Sequence, residues 1–232
     1  MSGSGSGPVD ASRRPRPDGA ATRARVLDAV VECILKNGYY QASSNAIARH
    51  AGVTWGTIQH QFGTREALLL AVVQDRWQRL TRHLGTAAVS GETLEERLAG
   101  VMGALETHYG SPEHLAIMQI MLDLAQSPAT AESTKRAVET HAAELSQVWH
   151  PLLAKALGDA ASDEDLVRYA FLTIRGYLSA NAMAARLGPQ PPDGAVRALL
   201  LQGIARAIRE HATRTGRAPG PATGSSNSPA GG

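Results

Sequence analysis

The residues whose types and spacing suggest chemistry are the short polar side chains of residues 54–61. At about 100° per residue, a helix over this stretch places Gly56 and His60 on one side, where Thr57 and Gln59 flank them. This outward face is short, polar and free of acidic residues. Such a face can enter the major groove of DNA without repelling the phosphates.

The residues around this face have the pattern of a helix-turn-helix over 43–62. Ala48 is small where two helices would cross closely, and Gly52 can adopt the positive φ of a tight turn. Thr54 is a suitable N-cap, because its hydroxyl can accept a hydrogen bond from an otherwise unpaired amide of the following helix. Three apolar residues are expected to point into a core shared with the preceding helix: Ile47, Val53 and Ile58.

Most of the remaining chain also has a helical period. Apolar residues recur at three- and four-residue intervals and predict helices at about 22–37, 64–84, 92–109, 112–126, 129–157, 163–187 and 193–213. No segment shows the alternation of a strand. The predicted fold is all-α, with about nine helices.

The composition divides the chain into four parts. Residues 1–20 and 215–232 are rich in Gly, Ser, Pro and Ala, which predicts disordered tails. Residues 21–85 are predicted to form a three-helix helix-turn-helix domain that includes the start of a long linker helix. Residues 86–214 are predicted to form a further helical domain.

The charges differ between the two parts of the helical region. Residues 13–85 contain 11 Lys and Arg against 5 Asp and Glu, whereas residues 86–211 contain 10 against 15. A basic N-terminal third predicts an anionic partner at one end of the molecule. The alternative is an uneven distribution of ordinary surface charge.

Several classes of protein are excluded by what the sequence lacks. Its one cysteine, Cys33, cannot form an internal disulfide or a cysteine-based zinc site. No stretch reaches the roughly 18 apolar residues of a membrane span, and the N-terminal residues do not resemble a secretory signal. We therefore expect a cytoplasmic protein without membrane contact. Common catalytic motifs are absent, so we expect no enzyme, no cofactor and no metal site.

Residues 22–85 resemble the N-terminal domain of the tetracycline-repressor (TetR) family of bacterial regulators. The matching residues are Gly38-Tyr39, Ile47-Ala48, Ala51-Gly52-Val53-Thr54, Gly56-Thr57-Ile58, His60, Phe62, Arg65-Glu66 and Leu68. The resemblance implies double-stranded DNA as a partner and a basic phosphate contact at Arg65. The residues predicted to bind DNA are Ser43, Ser44, Thr54, Trp55, Gly56, Thr57, Gln59, His60, Thr64 and Arg65.

These residues have different predicted roles. Ser43 or Ser44 and Thr64 begin helices, whose free amides suit phosphates, although both could act only as caps. Gln59, His60 and Thr57 are candidates for reading base edges. Two positions depart from the family: Gln59 replaces the usual tyrosine, and Trp55 stands where a small or basic residue is common. Trp55 could contact a thymine methyl or pack at the edge of the domain.

The resemblance implies that residues 86–214 are a domain for ligand binding and dimerisation. Residues 163–187 and 193–213 are apolar on more than one face, which predicts both a core and a partner. By resemblance the partner is a second copy, giving a homodimer with a four-helix interface. Methionines are concentrated in this half and can line adaptable cavities, although methionines at helical spacing are usually core. The predicted ligand-binding residues are Met102, His108, Met118, Met121, Trp149, Tyr177 and Asn181.

The sequence therefore predicts a ligand-responsive, DNA-binding transcriptional regulator. It is expected to act as a repressor that a small, largely apolar effector releases from a palindromic operator. The alternatives are a helical carrier of apolar ligands and a constitutive DNA-binding dimer that has no effector.

Overall fold

The computed structural model describes residues 19–188 and 194–215, and most of the two predicted tails lies outside these ranges. In the described part the chain forms nine α-helices and a short 3-10 helix, with no strand. The prediction of an all-α fold is therefore confirmed. The α-helices are α1 (Gly19–Asn37), α2 (Ser44–His50), α3 (Trp55–Phe62), α4 (Arg65–Thr86), α5 (Leu94–Tyr109), α6 (Pro112–Gln126), α7 (Glu132–Leu157), α8 (Glu164–Leu187) and α9 (Gly194–Thr215).

Side-chain caps set the starts of the three helices after α1. The hydroxyl oxygens of Ser43, Thr54 and Thr64 each accept a hydrogen bond from a backbone amide in the first turn of α2, α3 and α4. Gly52 has a φ of 66° in the turn between α2 and α3. The sequence pattern of a helix-turn-helix is thus confirmed in its local geometry.

The N-terminal helices share their core with a helix from the C-terminal part. Val30 of α1, Ile47 of α2, Ile58 of α3 and Val72 of α4 are fully buried in one cluster. The same cluster contains Ile120 of α6 and further α6 residues. Helix α6, which follows residue 85 in the sequence, thus packs against α1 and α4.

The second core lies among α4, α5, α7, α8 and α9. It contains Leu98, Leu153, Ile174 and Ile208, all fully buried. Helix α4 contributes to both cores, Val72 to the first and Leu80 to the second, so it connects them along its length. Over the described ranges, no helix is long and apolar enough to cross a membrane.

A buried arginine fixes α4 against α1. Arg76 donates hydrogen bonds of 2.8 Å to Asp28 and 2.7 Å to Asp75. Its Nε also lies 3.5 Å from a carboxylate oxygen of Glu113 in α6. Removing one partner of such a buried pair leaves an uncompensated charge, so this contact holds the relative position of α1, α4 and α6.

Candidate DNA-binding surface and ligand cavity

The polar face predicted for α3 is exposed. Gly56, Thr57, Gln59 and His60 all lie at the surface, while Ile58 is fully buried beneath them. The guanidinium of Arg23 in α1 lies 4.4 Å from the ring centroid of Phe62 at the end of α3. Packing therefore fixes α3 on its inner side and leaves its polar side open to a partner.

Two of the predicted DNA-binding residues at the start of α3 are engaged within the protein. Thr54 accepts from the amide of Thr57 at 3.2 Å, and the two hydroxyl groups are 3.0 Å apart. Trp55 is half-buried and packs against the N-terminal core. Of the two interpretations of Trp55, packing at the edge of the domain matches its position.

Ser43, Ser44 and Thr64 lie at helix N-termini, as predicted. Ser43 and Thr64 are the caps of α2 and α4, and Ser44 is the first residue of α2. The caps accept hydrogen bonds at 3.3 Å and 3.1 Å, so each hydroxyl oxygen is already used by its own helix. The other first-turn amides remain available for anions, because the side chain of a cap satisfies only some of them.

Arg65 connects the start of α4 to the loop between α1 and α2. Its guanidinium donates a hydrogen bond of 2.9 Å to the carbonyl of Ala42 and lies 5.7 Å from the ring centroid of Tyr39. The side chain is half-buried. The predicted contact to a phosphate would therefore come from a guanidinium that is already held in place by the protein.

The helix-turn-helix itself contains no acidic residue, and Glu32 and Glu66 flank it in the sequence. Residues 33–65 contain neither Asp nor Glu, but they contain Lys36, Arg49 and Arg65. The nearest acidic side chain before this stretch, Glu32, lies 2.7 Å from the imidazole of His50. The net positive charge of this stretch favours a polyanion as its partner.

A cavity of about 170 Å³ lies where α4 to α8 meet. Three of the predicted ligand-binding residues, His108, Met118 and Met121, lie together in its wall. The other lining residues were not predicted, because they come from five separate helices and their meeting depends on tertiary packing. These residues are Val73, Arg76, Trp77, Tyr109, His114, Ile117, His141, Ala142 and Arg175.

The other four predicted ligand-binding residues do not line this cavity. Met102 is fully buried in the second core. Trp149 is stacked on Phe171, with 3.7 Å between the ring centroids, and lines a groove between α7 and α8. Tyr177 packs at the border of the second core, and Asn181 is half-buried on α8.

Burial keeps His108 and His114 uncharged at neutral pH. It lowers the pKa of His108 to about 4 and that of His114 to about 3. Burial also raises the pKa of the Tyr109 hydroxyl to about 12, so the hydroxyl keeps its proton. Within the described ranges no cluster of His, Cys, Asp or Glu is arranged to hold a metal ion.

Helix α8 also has an apolar stripe that no described residue covers. Tyr169, Leu172, Met183 and Leu187 are all exposed. By helical geometry they lie within about 60° of one another around the axis. The exposed Gly176 lies on the same stripe, where a small residue lets another helix approach closely. The buried residues predicted for α8, such as Ile174, lie on the core side.

Comparison with known proteins identifies the N-terminal domain. Residues 26–72 match the family model described as bacterial regulatory proteins, tetR family. The fatty acid metabolism regulator protein of Bacillus subtilis is 31% identical over 103 residues, which cover 44% of this chain and 53% of that protein. The transcriptional repressor KstR of Mycolicibacterium smegmatis is 26% identical over 150 residues, or 62% of this chain and 66% of the repressor. The chain thus spans about half to two thirds of these relatives.

The fold of the described residues agrees with that match. The crystal structure of the regulator FadR from Bacillus subtilis, in complex with stearoyl-CoA, has a TM-score of 0.57 to this chain at 20% identity. The similarity covers 80% of this chain and 96% of that one. These proteins are named as regulators or as a transcriptional repressor, the class of protein that the sequence predicts. Residues 26–72 are therefore a domain of the tetR family of bacterial regulatory proteins, in a chain whose helical fold is similar to that of a solved transcriptional regulator.

Proposed function

We propose that this protein is a ligand-responsive transcriptional regulator that binds a palindromic operator through α3. The observation that carries the proposal is the face formed by Gly56, Thr57, Gln59 and His60, which is exposed and free of acidic groups. Gln59 can form a bidentate pair with adenine, and His60 can donate to or accept from a base edge. The amides at the start of α2 and α4 would then contact the phosphates on either side.

We further propose that the regulator is a homodimer. The exposed stripe of Tyr169, Leu172, Met183 and Leu187 on α8 is apolar enough to require a partner, and a second copy provides an identical stripe. A two-fold axis at this stripe would present two α3 helices to the DNA. Half-sites about 34–36 Å apart would place both helices in successive major grooves.

The proposed mode of action is repression that a small, largely apolar effector relieves. The relative KstR is named a transcriptional repressor. The proposed effector site is the cavity of about 170 Å³ that is lined by α4, α5, α6, α7 and α8. Val73 and Trp77 are among its lining residues on α4. Because α4 runs without a break from Arg65 to Thr86, a tilt at the cavity would move α3 and change the spacing of the two reading helices. The effector must bind the DNA-free state more tightly, since only differential affinity shifts the equilibrium.

The DNA-binding proposal is tested by selecting duplexes from a random library with the full chain. The selected sequences should share an inverted repeat, and their affinity should fall steeply with salt as counterions are released. Enrichment without an inverted repeat, or an affinity independent of salt, would contradict operator binding by a dimer.

The dimer is tested with two variants of α8 that add the same charge. Leu172→Glu lies on the exposed stripe, whereas Ala185→Glu is exposed on the opposite side of the helix. Sedimentation should show a monomer for Leu172→Glu and a dimer for Ala185→Glu and the wild type. If Leu172→Glu remains a dimer with unchanged operator affinity, the stripe is not the interface.

A further inference from the structure

The cavity that is lined by the five helices α4 to α8 has an apolar wall and a polar end. Val73, Trp77, Ile117, Met118 and Met121 provide the apolar wall. The polar end has basic and hydrogen-bonding side chains, and none of the residues that line the cavity is an Asp or a Glu. This composition suits a ligand with an apolar body and a group that accepts hydrogen bonds.

The two arginines of the cavity differ in their partners. Arg76 is paired with Asp28 and Asp75 and lies near Glu113, so its charge is compensated. Arg175 has no carboxylate within ion-pair distance among the described residues; its guanidinium lies 5.9 Å from the ring centroid of Tyr109 and 5.8 Å from that of Phe171. The cavity therefore carries one positive charge that the described part of the protein does not neutralise.

Four buried polar atoms of residues that line the cavity lack a hydrogen-bond partner among the described residues. They are Nε of Arg76, the hydroxyl oxygen of Tyr109 and the Nδ1 atoms of His114 and His141. Buried polar groups in native proteins are almost always paired, so unpaired ones need an explanation. A ligand oxygen that accepts a hydrogen bond from the Tyr109 hydroxyl could also pair with the guanidinium of Arg175, which lies near the Tyr109 ring.

We propose that the effector is a compact organic carboxylate, whose carboxylate group pairs with Arg175 and whose apolar body occupies the cavity. An apolar cavity of about 150 Å³ holds benzene, so a cavity of about 170 Å³ fits a body the size of one ring. That such a ligand controls DNA binding rests on the proposed function, but its binding to this cavity does not.

The test measures binding of single-ring ligands to the full chain by calorimetry without DNA. Benzoate and cyclohexanecarboxylate are compared with their neutral amides, which keep the shape and lose the charge. The wild type should prefer each acid to its amide by roughly tenfold, the scale of a charge-assisted hydrogen-bond pair. Arg175→Met should remove this preference, and Arg175→Lys should retain part of it.

The matched control is Arg168→Met, which removes an exposed arginine two turns earlier on α8. Arg168 lines the groove beside Trp149 but does not line the cavity. The variant Arg168→Met should therefore prefer each acid to its amide as the wild type does. Binding of the amide by Arg175→Met shows that the variant is folded. Failure of every acid to bind, equal binding of acid and amide by the wild type, or an equal loss in Arg168→Met would overturn the proposal.

The outcome is separable from that of the proposed function. Operator affinity is measured on the same preparations without ligand. A protein that binds its operator but no carboxylate refutes the effector class alone. A protein that binds the carboxylate but no DNA supports the effector class and refutes the regulator.

Discussion

The hydroxyl of Tyr39 donates a hydrogen bond of 2.6 Å to a carboxylate oxygen of Asp123, 84 residues further along the chain. Tyr39 lies in the loop between α1 and α2, and Asp123 lies on α6, less than one turn after the cavity residue Met121. The same tyrosine ring lies beneath Arg65, which holds the loop through Ala42. A displacement of α6 at the cavity would therefore reach the helix-turn-helix directly, in addition to the path along α4.

Tyr39→Phe is predicted to weaken this connection. Burial and the contact with Asp123 raise the pKa of Tyr39, so the hydroxyl is a donor at neutral pH. Losing a hydrogen bond to a charged group should lower the free energy of unfolding by about 1.5–3 kcal/mol. Asp123→Asn should have a smaller effect in the same direction. Urea unfolding of both variants and the double variant gives the coupling energy, and operator affinity should change in the same direction in both single variants.

The control for this cycle is Tyr40→Phe. Tyr40 is 90% exposed, so the loss of its hydroxyl should leave both stability and operator affinity unchanged. Additive effects of Tyr39→Phe and Asp123→Asn would show that the two residues do not act as a pair.

Gly52→Ala is predicted to destabilise the turn between α2 and α3. Gly52 has a φ of 66°, and a Cβ atom there would meet no atom within 4 Å, so the cost is conformational and not steric. A left-handed alanine costs about 1–2 kcal/mol, which urea unfolding can measure. Gly103→Ala is the matched control, because Gly103 lies inside α5 with the same open surroundings and should gain about 0.5–1 kcal/mol. Equal effects at the two positions would contradict this explanation.

The stability of the protein is predicted to fall between pH 6.5 and pH 4 because of His108 and His114. Both pKa values lie below 6.5 in the folded protein, mainly through burial, so the unfolded chain binds more protons in this range. The contribution of the two uncharged histidines to the stability of the fold is complete above pH 6.5 and is lost as the pH falls through the folded pKa values. Because a pKa shift of one unit corresponds to about 1.4 kcal/mol, each of the two histidines should lower the free energy of unfolding by about 2 kcal/mol between pH 7 and pH 5.

The measurement is urea unfolding at several pH values for the wild type and the double variant His108→Gln, His114→Gln. The double variant should lose much less stability between pH 6.5 and pH 5. The lowered pKa values of Glu95, Glu96 and Asp163 act only at a lower pH and do not interfere. An identical decline in both proteins would show that other groups cause it.

The helix-turn-helix could be predicted from the sequence because its signals are local. Its caps and its turn residue interact only with residues a few positions away in the sequence, so the local spacing of residues is enough to predict their geometry. These residues are Ser43, Gly52, Thr54 and Thr64. The cavity is different. Tyr109, His114 and Arg175 come from α5, α6 and α8, and their meeting depends on helix packing that no periodicity encodes. Met102 illustrates the limit, since its spacing fits a cavity wall and a core equally well, and the structure places it in the core.

Whether α3 reads the DNA is measured by the binding of α3 variants to a selected duplex. Fluorescence anisotropy would compare Gln59→Ala and His60→Ala with Gln78→Ala, which changes an exposed residue of α4 outside the helix-turn-helix. Each α3 variant should lose about 1–3 kcal/mol on the selected duplex and become indifferent to the base at one position of each half-site. Gln78→Ala should bind as the wild type does. If both α3 variants discriminate among all base-substituted duplexes as the wild type does, α3 does not read the DNA.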